Sequence, residues 1–219
     1  MTVDREMPEM VATLVTPGAS EWLALSDDLL AGLVHALNNR VTALSVCAEL
    51  AGLGDREMVK DGVLLSEVAR LQRVGVLIGC LPARGIAEAL DIGPVLDDAL
   101  AMHAHHPGTR RIECTVHVGN GMQPVRAPRW ALLRLMLMMV DTAKGGAQEA
   151  GRGSVSIELS SDAECVRLKT DAGGNEGAYA VEMAAVCGGV LLREAGRLVL
   201  TLPSLIEVRR RERTERGAT

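Results

Sequence analysis

The chain has 219 residues, 48% of them hydrophobic, which is enough for one ordinary domain or two small ones with a buried core. Its formal net charge of -5 argues against a nucleic-acid-binding protein, because phosphate backbones require a basic face. The absence of Phe, together with ten Met, suits packed helices better than an aromatic β-sandwich.

The five cysteines indicate neither a disulfide framework nor a zinc site, because they are widely spaced and no two form a CxxC pair. Buried thiols in a reducing cytosol are the simplest interpretation. The N-terminal segment has no apolar signal core, and the longest apolar stretch, residues 130–140, is too short to span a bilayer. We therefore expect a soluble, cytoplasmic protein that does not bind a membrane.

The first 82 residues predict a helical hairpin. Residues 1–19 are expected to form a flexible lead, and helix signals begin at Ser20. The first helix has apolar residues at the inward positions of a heptad pattern: Leu30, Leu33, Leu37, Leu44, Cys47 and Ala51. After a break at residues 52–55, a second helix is expected over residues 56–80. One hairpin leaves apolar surface uncovered, so residues 20–82 predict a homodimer that closes a four-helix bundle.

Residues 90–203 contain both helical and strand patterns, and they predict a mixed α/β sandwich with its helices on one face of a sheet. The helical patterns cover residues 92–106, 129–144 and 179–187. The strand patterns cover residues 111–118, 154–159, 166–170, 190–193 and 198–202. The last segment, residues 204–219, contains five arginines and is most simply a solvated charged tail. The expected fold class is therefore α plus α/β.

One face of the first helix carries a possible nucleophile. His35 lies opposite the inward positions, and Asn38, Asn39 and Thr42 follow it on the same face at offsets of 3, 4 and 7 residues. An exposed imidazole with a near-neutral pKa can attack phosphorus, and Asn39 can hold a water or a phosphoryl oxygen. The alternative is an ordinary solvent-facing histidine.

The same face carries small residues that suggest a binding surface for a partner. Asp28, Ala31 and Gly32 precede His35 by one or two turns. A glycine inside a helix costs about 1 kcal/mol relative to alanine. A closely approaching partner surface would explain that cost at Gly32.

Residues 33–44, LVHALNNRVTAL, resemble the H-box of two-component histidine kinases, in the subgroup written His-acidic-apolar-Asn-Asn-x-apolar-Thr. The second half is similar to the kinase ATP-binding domain. Residues 125–128 resemble the segment before the N-box, residues 171–174 the G1 box, and residues 177–189 the G2 region. The resemblance implies a Bergerat-type α/β sandwich, with His35 as the phosphoacceptor.

The sequence departs from the kinase pattern wherever ATP would be used. Ala36 replaces the acidic residue that follows the histidine and acts as general base. Residues 133–144, at the N-box, contain no asparagine, and methionine is a poor ligand for Mg²⁺. Only Asn175 and Glu176 stand where the kinases have a long ATP lid. The sandwich is therefore expected to be degenerate, with no cofactor-binding residues.

The combination resembles the histidine phosphotransferases of phosphorelays, including those of bacterial sporulation and the bacterial cell cycle. The resemblance implies transfer of a phosphoryl group between receiver-domain aspartates through His35. The partners would be response-regulator receiver domains and a hybrid histidine kinase, with Mg²⁺ held by the receiver. Three alternatives stay open: a divergent histidine kinase, a response-regulator phosphatase and a non-enzymatic adaptor.

Three histidines, His103, His105 and His106, invite a metal hypothesis. They come at the expected end of a helix, before Pro107-Gly108, where cationic histidines favour the helix dipole. We therefore expect a helix terminus here and no metal site.

Overall fold

The computed structural model describes residues 17–53, 61–83, 85–171 and 177–217. Two helices open the chain, α1 (Pro17–Gly52) and α2 (Asp61–Gly79). Helix α1 begins three residues before the expected boundary, with a proline in its first turn, where the missing N–H costs nothing. Arg40 of α1 pairs with Glu67 of α2 at 2.9 Å, so the helices pack side by side. Of the predicted break at residues 52–55, Gly52 ends α1 and Leu53 forms a turn, whereas residues 54–60 lie outside the described ranges.

The buried face of α1 is rotated from the predicted one. Trp22, Leu25, Leu29 and Leu33 are buried at spacings of 3 and 4 residues. Among the predicted inward residues only Leu33 is fully buried, and Leu37, Leu44 and Cys47 are half-buried. Leu30 and Ala51 are exposed in the single chain, so their inward position in a dimeric bundle stays a prediction. The buried face is rotated because α1 carries two apolar stripes, and the chain itself covers the one centred on Leu29 and Leu33.

The N-terminal half of α1 packs on the second half of the chain. The Trp22 ring stacks on Tyr179 with 5.7 Å between ring centroids. Arg134 lies over Trp22 at 4.5 Å and donates hydrogen bonds to the Tyr179 hydroxyl (2.8 Å) and the Leu81 carbonyl (3.1 Å). Helix α1 therefore packs against both α2 and the second half of the chain. His35 comes two residues after Leu33, the last fully buried residue of α1.

The second half forms the predicted mixed α/β sandwich. Its helices are α3 (Ile92–His103), α4 (Arg129–Glu149), α5 (Ala178–Val186) and α6 (Leu205–Gly217). Its strands are β1 (Ala87–Leu90), β2 (Glu113–Val118), β3 (Val125–Pro128), β4 (Ser154–Ser161), β5 (Cys165–Asp171), β6 (Val190–Glu194) and β7 (Arg197–Pro203). The main sheet has the order β2-β4-β5-β7-β6, in which only β2 and β4 run parallel. Strands β1 and β3, which the sequence patterns did not predict, form a separate antiparallel pair.

Helix α4 is the centre of the core. Every residue from 135 to 140 is buried, and the helix continues to Glu149, beyond the predicted end at Lys144. Inward residues of β5 alternate with the outward residues Arg167, Lys169 and Asp171, so one face of the sheet is covered and the other is open. Within the described chain, no helix combines the length and apolar character that a membrane span needs.

Residues 205–217 form a helix with an anchored first turn, and the five arginines of the predicted solvated tail are exposed on it. Ser204 is fully buried, and its Oγ accepts a hydrogen bond from the Glu207 N–H at 3.1 Å, a helix N-cap. Glu207 is buried and pairs with Arg210 and Arg211, each at 2.7 Å. Part of the arginine run therefore neutralises a buried carboxylate.

Candidate functional site

His35 is exposed on α1 and contacts an amide one turn further along the helix. The Nδ2 atom of Asn39 lies 3.2 Å from the Nε2 atom of His35. An amide N–H can only donate, so the contact favours the imidazole tautomer that is protonated on Nδ1. In that tautomer the Nε2 lone pair points toward the Asn39 amide.

His35 lines a cleft between α1 and the connection from α3 to β2. The cleft has a volume of about 370 Å³. From α1 it receives His35, Asn39 and Arg40, and from the connection it receives His105 and Arg110. The sequence patterns did not single out Arg110, because only tertiary packing brings residues 105–110 beside His35.

The wall of this cleft explains the glycine in α1. A Cβ atom at Gly32 would overlap the carbonyl oxygen of His105. The close approach that Gly32 permits is therefore made by the chain's own second half. This corrects the expectation that a partner surface accounts for the glycine.

The other predicted site residues lie around the cleft. Ala31 is exposed and contributes to its lining. Asn38 and Thr42 are exposed beyond it, and the Thr42 hydroxyl donates to the Asn38 carbonyl at 2.9 Å. Asp28 has its Oδ2 atom 3.6 Å from His106 Nε2, so it contacts the second half of its own chain. Its proposed contact with a partner stays a prediction.

A stacked pair of histidines lies beside the cleft. The rings of His103 and His106 are 4.9 Å apart and almost parallel, and His103 is fully buried. His103 Nε2 lies 3.1 Å from Asp141 of α4, and His106 Nδ1 accepts hydrogen bonds from the N–H groups of Gly108 and Thr109. Asp141, the only carboxylate among residues 133–144, is thus the partner of a histidine.

The helix-dipole interpretation of these histidines is wrong for His103. Burial lowers the pKa of His103 below its usual 6.5, and Asp141 only partly opposes that effect. A neutral imidazole gains little from a helix dipole, so burial and hydrogen bonding hold it in place. Within the described residues, no group of three or more His, Cys, Asp or Glu side chains is arranged to bind a metal ion.

Asp171, the described residue of the segment that resembles the G1 box, takes part in ion pairs. It ends β5 on the open face of the sheet, 3.5 Å from Arg197 and 3.8 Å from Arg152. The remainder of that segment and the two residues at the lid position, residues 172–176, lie outside the described ranges.

Neither a protein-family model nor a curated protein matches this chain. Similar solved structures include the Acinetobacter baumannii histidine kinase AdeS (15% identity, 78% of this chain and 96% of that chain covered, TM-score 0.43). The ATP-binding domain of PrrB from Mycobacterium tuberculosis has 19% identity, covers 54% of this chain and 97% of its own, and has a TM-score of 0.43. A bacterial phosphotransferase has 16% identity, covers 82% and 95%, and has a TM-score of 0.39. At these scores the similarities define no activity for this chain.

Proposed function

We propose that this protein is a histidine phosphotransferase of a two-component phosphorelay and that His35 carries the phosphoryl group. One observation carries the proposal: the His35 imidazole is exposed, and its Nε2 atom lies 3.2 Å from the Asn39 amide nitrogen, which favours an unprotonated Nε2. Such a nitrogen is a competent nucleophile toward phosphorus without help from a general base. The alanine at position 36, where the kinases have an acid, is then no obstacle.

The proposed reaction is reversible transfer between two carboxylates. After the Asn39 amide turns away, His35 Nε2 attacks the phosphorus of a receiver's aspartyl phosphate, forming an N–P bond while the O–P bond breaks and the carboxylate leaves. The ring retains its Nδ1 proton and becomes a phosphoimidazolium, so no proton must be removed. The return reaction delivers the phosphoryl group to another receiver. Mg²⁺ on the receiver would stabilise the transferred oxygens.

Two features support transfer without ATP. The part of α4 that takes the place of the N-box contains a run of buried Leu, Met and Val residues that pack in the core, and its one carboxylate, Asp141, contacts His103. Asp171, which would face adenine in a kinase, is paired with Arg152 and Arg197 on the open face of the sheet. ATP chemistry would require both regions to rearrange.

We propose that the protein forms a homodimer and acts in the cytoplasm. An apolar stripe at spacings of 7, 4 and 7 residues follows the outer face of α1, and its members have exposures of 37–51%: Leu23, Leu30, Val34 and Val41. Leu65 and Val76 of α2 are exposed by 68% and 55%. A second copy of the hairpin would cover both helices and complete a four-helix bundle. Receiver domains and a hybrid histidine kinase are the proposed heterologous partners.

The test is a transfer assay with two sources of phosphate. Receiver domains are labelled with radioactive acetyl phosphate and mixed with the wild type, with His35→Gln and with His117→Gln. His117 is an exposed histidine on β2 and serves as the matched control. Label should move to the wild type and to His117→Gln, and none should reach His35→Gln. A parallel reaction with labelled ATP and Mg²⁺ should leave all three unlabelled.

Each other result selects a different function. Label from ATP at His35 would make the protein a divergent kinase. Loss of receiver label as free phosphate, without transfer, would make it a phosphatase in which Asn39 positions water. Receiver label that neither moves nor decays would leave an adaptor.

A further inference from the structure

We propose that the cleft beside His35 is a phosphoryl-anion subsite and that Arg110, supplied by the second half of the chain, binds the non-reacting oxygens of the phosphoryl group. The inference rests on the proposed function, because the anion is the group in transit on His35. It gives the degenerate sandwich a direct part in the chemistry of the helical hairpin.

The two arginines of the cleft differ in what they already bind. Arg40 donates to Glu67 at 2.9 Å, and Glu67 also binds Arg70 at 2.6 Å, so the charge of Arg40 is partly neutralised. Arg110 is exposed, and its side chain makes no hydrogen bond or ion pair with any residue of the described ranges. Its five N–H donors are therefore available to an anion entering the cleft.

Arg110 is also held on a well-fixed wall. Its backbone N–H donates to the His106 carbonyl at 3.2 Å, within the turn that follows α3. The same turn presses the His105 carbonyl onto Gly32. Movement of this wall relative to His35 would require the contact between α1 and α3 to open, so Arg110 and His35 line the cleft together.

The remaining cleft residues allow an anion without competing for it. Burial, together with the charge of Arg40, lowers the pKa of His105, so this imidazole is neutral at pH 7. No carboxylate lines the cleft among the described residues. The planar guanidinium of Arg110 can bind two phosphoryl oxygens at once, which lysine cannot do.

The experiment compares Arg110→Ala and Arg110→Lys with Arg111→Ala, a matched control at an exposed arginine that does not line the cleft. Inorganic phosphate is the probe, titrated at constant ionic strength against chloride, and the His35 ring signals are followed by NMR. We expect phosphate to shift these signals in the wild type and in Arg111→Ala. Arg110→Ala should bind phosphate about 10- to 100-fold more weakly, and Arg110→Lys should fall between them.

A second measurement follows transfer from labelled receivers. Arg110→Ala should lower kcat for transfer and shorten the lifetime of phospho-His35, while Arg111→Ala leaves both unchanged. An unchanged phosphate affinity in Arg110→Ala, or no phosphate effect in the wild type, would overturn the subsite. If instead the wild type binds phosphate through Arg110 but no receiver labels His35, the subsite stands as an anion site and the proposed phosphotransferase function fails.

Discussion

The carbonyl oxygen of His105 occupies the space beside Gly32 in which any other residue would place its Cβ atom. This contact joins the helix that carries His35 to the connection that carries Arg110. It also accounts for a glycine in the interior of a helix, where alanine would be favoured by about 1 kcal/mol. The arrangement of the cleft therefore depends on a backbone contact.

Gly32→Ala should destabilise the protein although it raises helix propensity. The new Cβ must displace a backbone carbonyl, and overpacking of this kind typically costs about 1–3 kcal/mol. Gly145→Ala in α4 is the matched control, because no atom lies within 4 Å of its added Cβ, and it should be neutral or stabilising by up to about 1 kcal/mol. Urea unfolding of both variants measures the difference. Equal stabilisation by the two alanines would show that Gly32 of α1 does not contact the connection that follows α3.

The stability of the protein should fall as the pH drops below about 6.5. Burial lowers the pKa of His103 in the fold, with Asp141 raising it and Lys144 and His106 lowering it further. Burial also lowers the pKa of His105. Below about pH 6.5 the unfolded chain therefore binds protons at these two imidazoles that the folded chain does not bind. Between the folded-state and unfolded-state pKa values, each imidazole lowers the free energy of unfolding by up to about 1.4 kcal/mol per pH unit. Urea unfolding between pH 7.5 and 5 measures the slope.

The matched variant for this pH effect is His103→Gln. Its stability should depend less steeply on pH over the same interval, whatever its absolute value. The carboxyl groups of Glu67, Glu207 and Asp162 have lowered pKa values and lose their contribution only below their usual range, near pH 4, so they do not interfere. Stability that rises on acidification would contradict a neutral buried His103.

ATP with Mg²⁺ should leave the melting temperature unchanged. A nucleotide present at 100 times its Kd would add about 2.7 kcal/mol of stability and raise Tm by about 5–10 °C in a chain of this size. Differential scanning fluorimetry of the wild type and Asp171→Asn measures the effect. A Tm increase in the wild type that disappears in Asp171→Asn would indicate a working nucleotide site and would support the divergent kinase.

Hydrophobic periodicity predicted the strands and helices that are long enough to show a repeating pattern in the sequence. The strand patterns over residues 190–193 and 198–202 correspond to β6 and β7, and between them Ala195 and Gly196 have φ values of 48° and 80°, as a tight two-residue turn requires. Strands β1 and β3 have four residues each, which is too short for a period of two to be detected reliably. Helix α6 had a detectable signal, Ser204 followed three residues later by Glu207, which the arginine run obscured.

The candidate site likewise has one part that local periodicity predicts and one part that depends on tertiary packing. The helical period placed His35, Asn38, Asn39 and Thr42 on one face of α1, and their backbone positions follow from that period alone. The cleft also needs Arg110, whose position depends on how α3 docks against α1. A sequence pattern contains no information about that docking, except the unexplained glycine at position 32.

Val34→Glu combined with Val41→Glu should convert a dimer into single chains. Both valines are exposed, by 46% and 49%, on the apolar stripe of α1, and paired carboxylates at this seam would be buried without partners. Sedimentation velocity should give twice the mass of the 23.2 kDa chain for the wild type and one chain mass for the variant. Val190→Glu, at a valine exposed by 55% on β6, is the matched control and should remain dimeric. A wild type that sediments as one chain would exclude the four-helix bundle, and the apolar stripe would then require another partner.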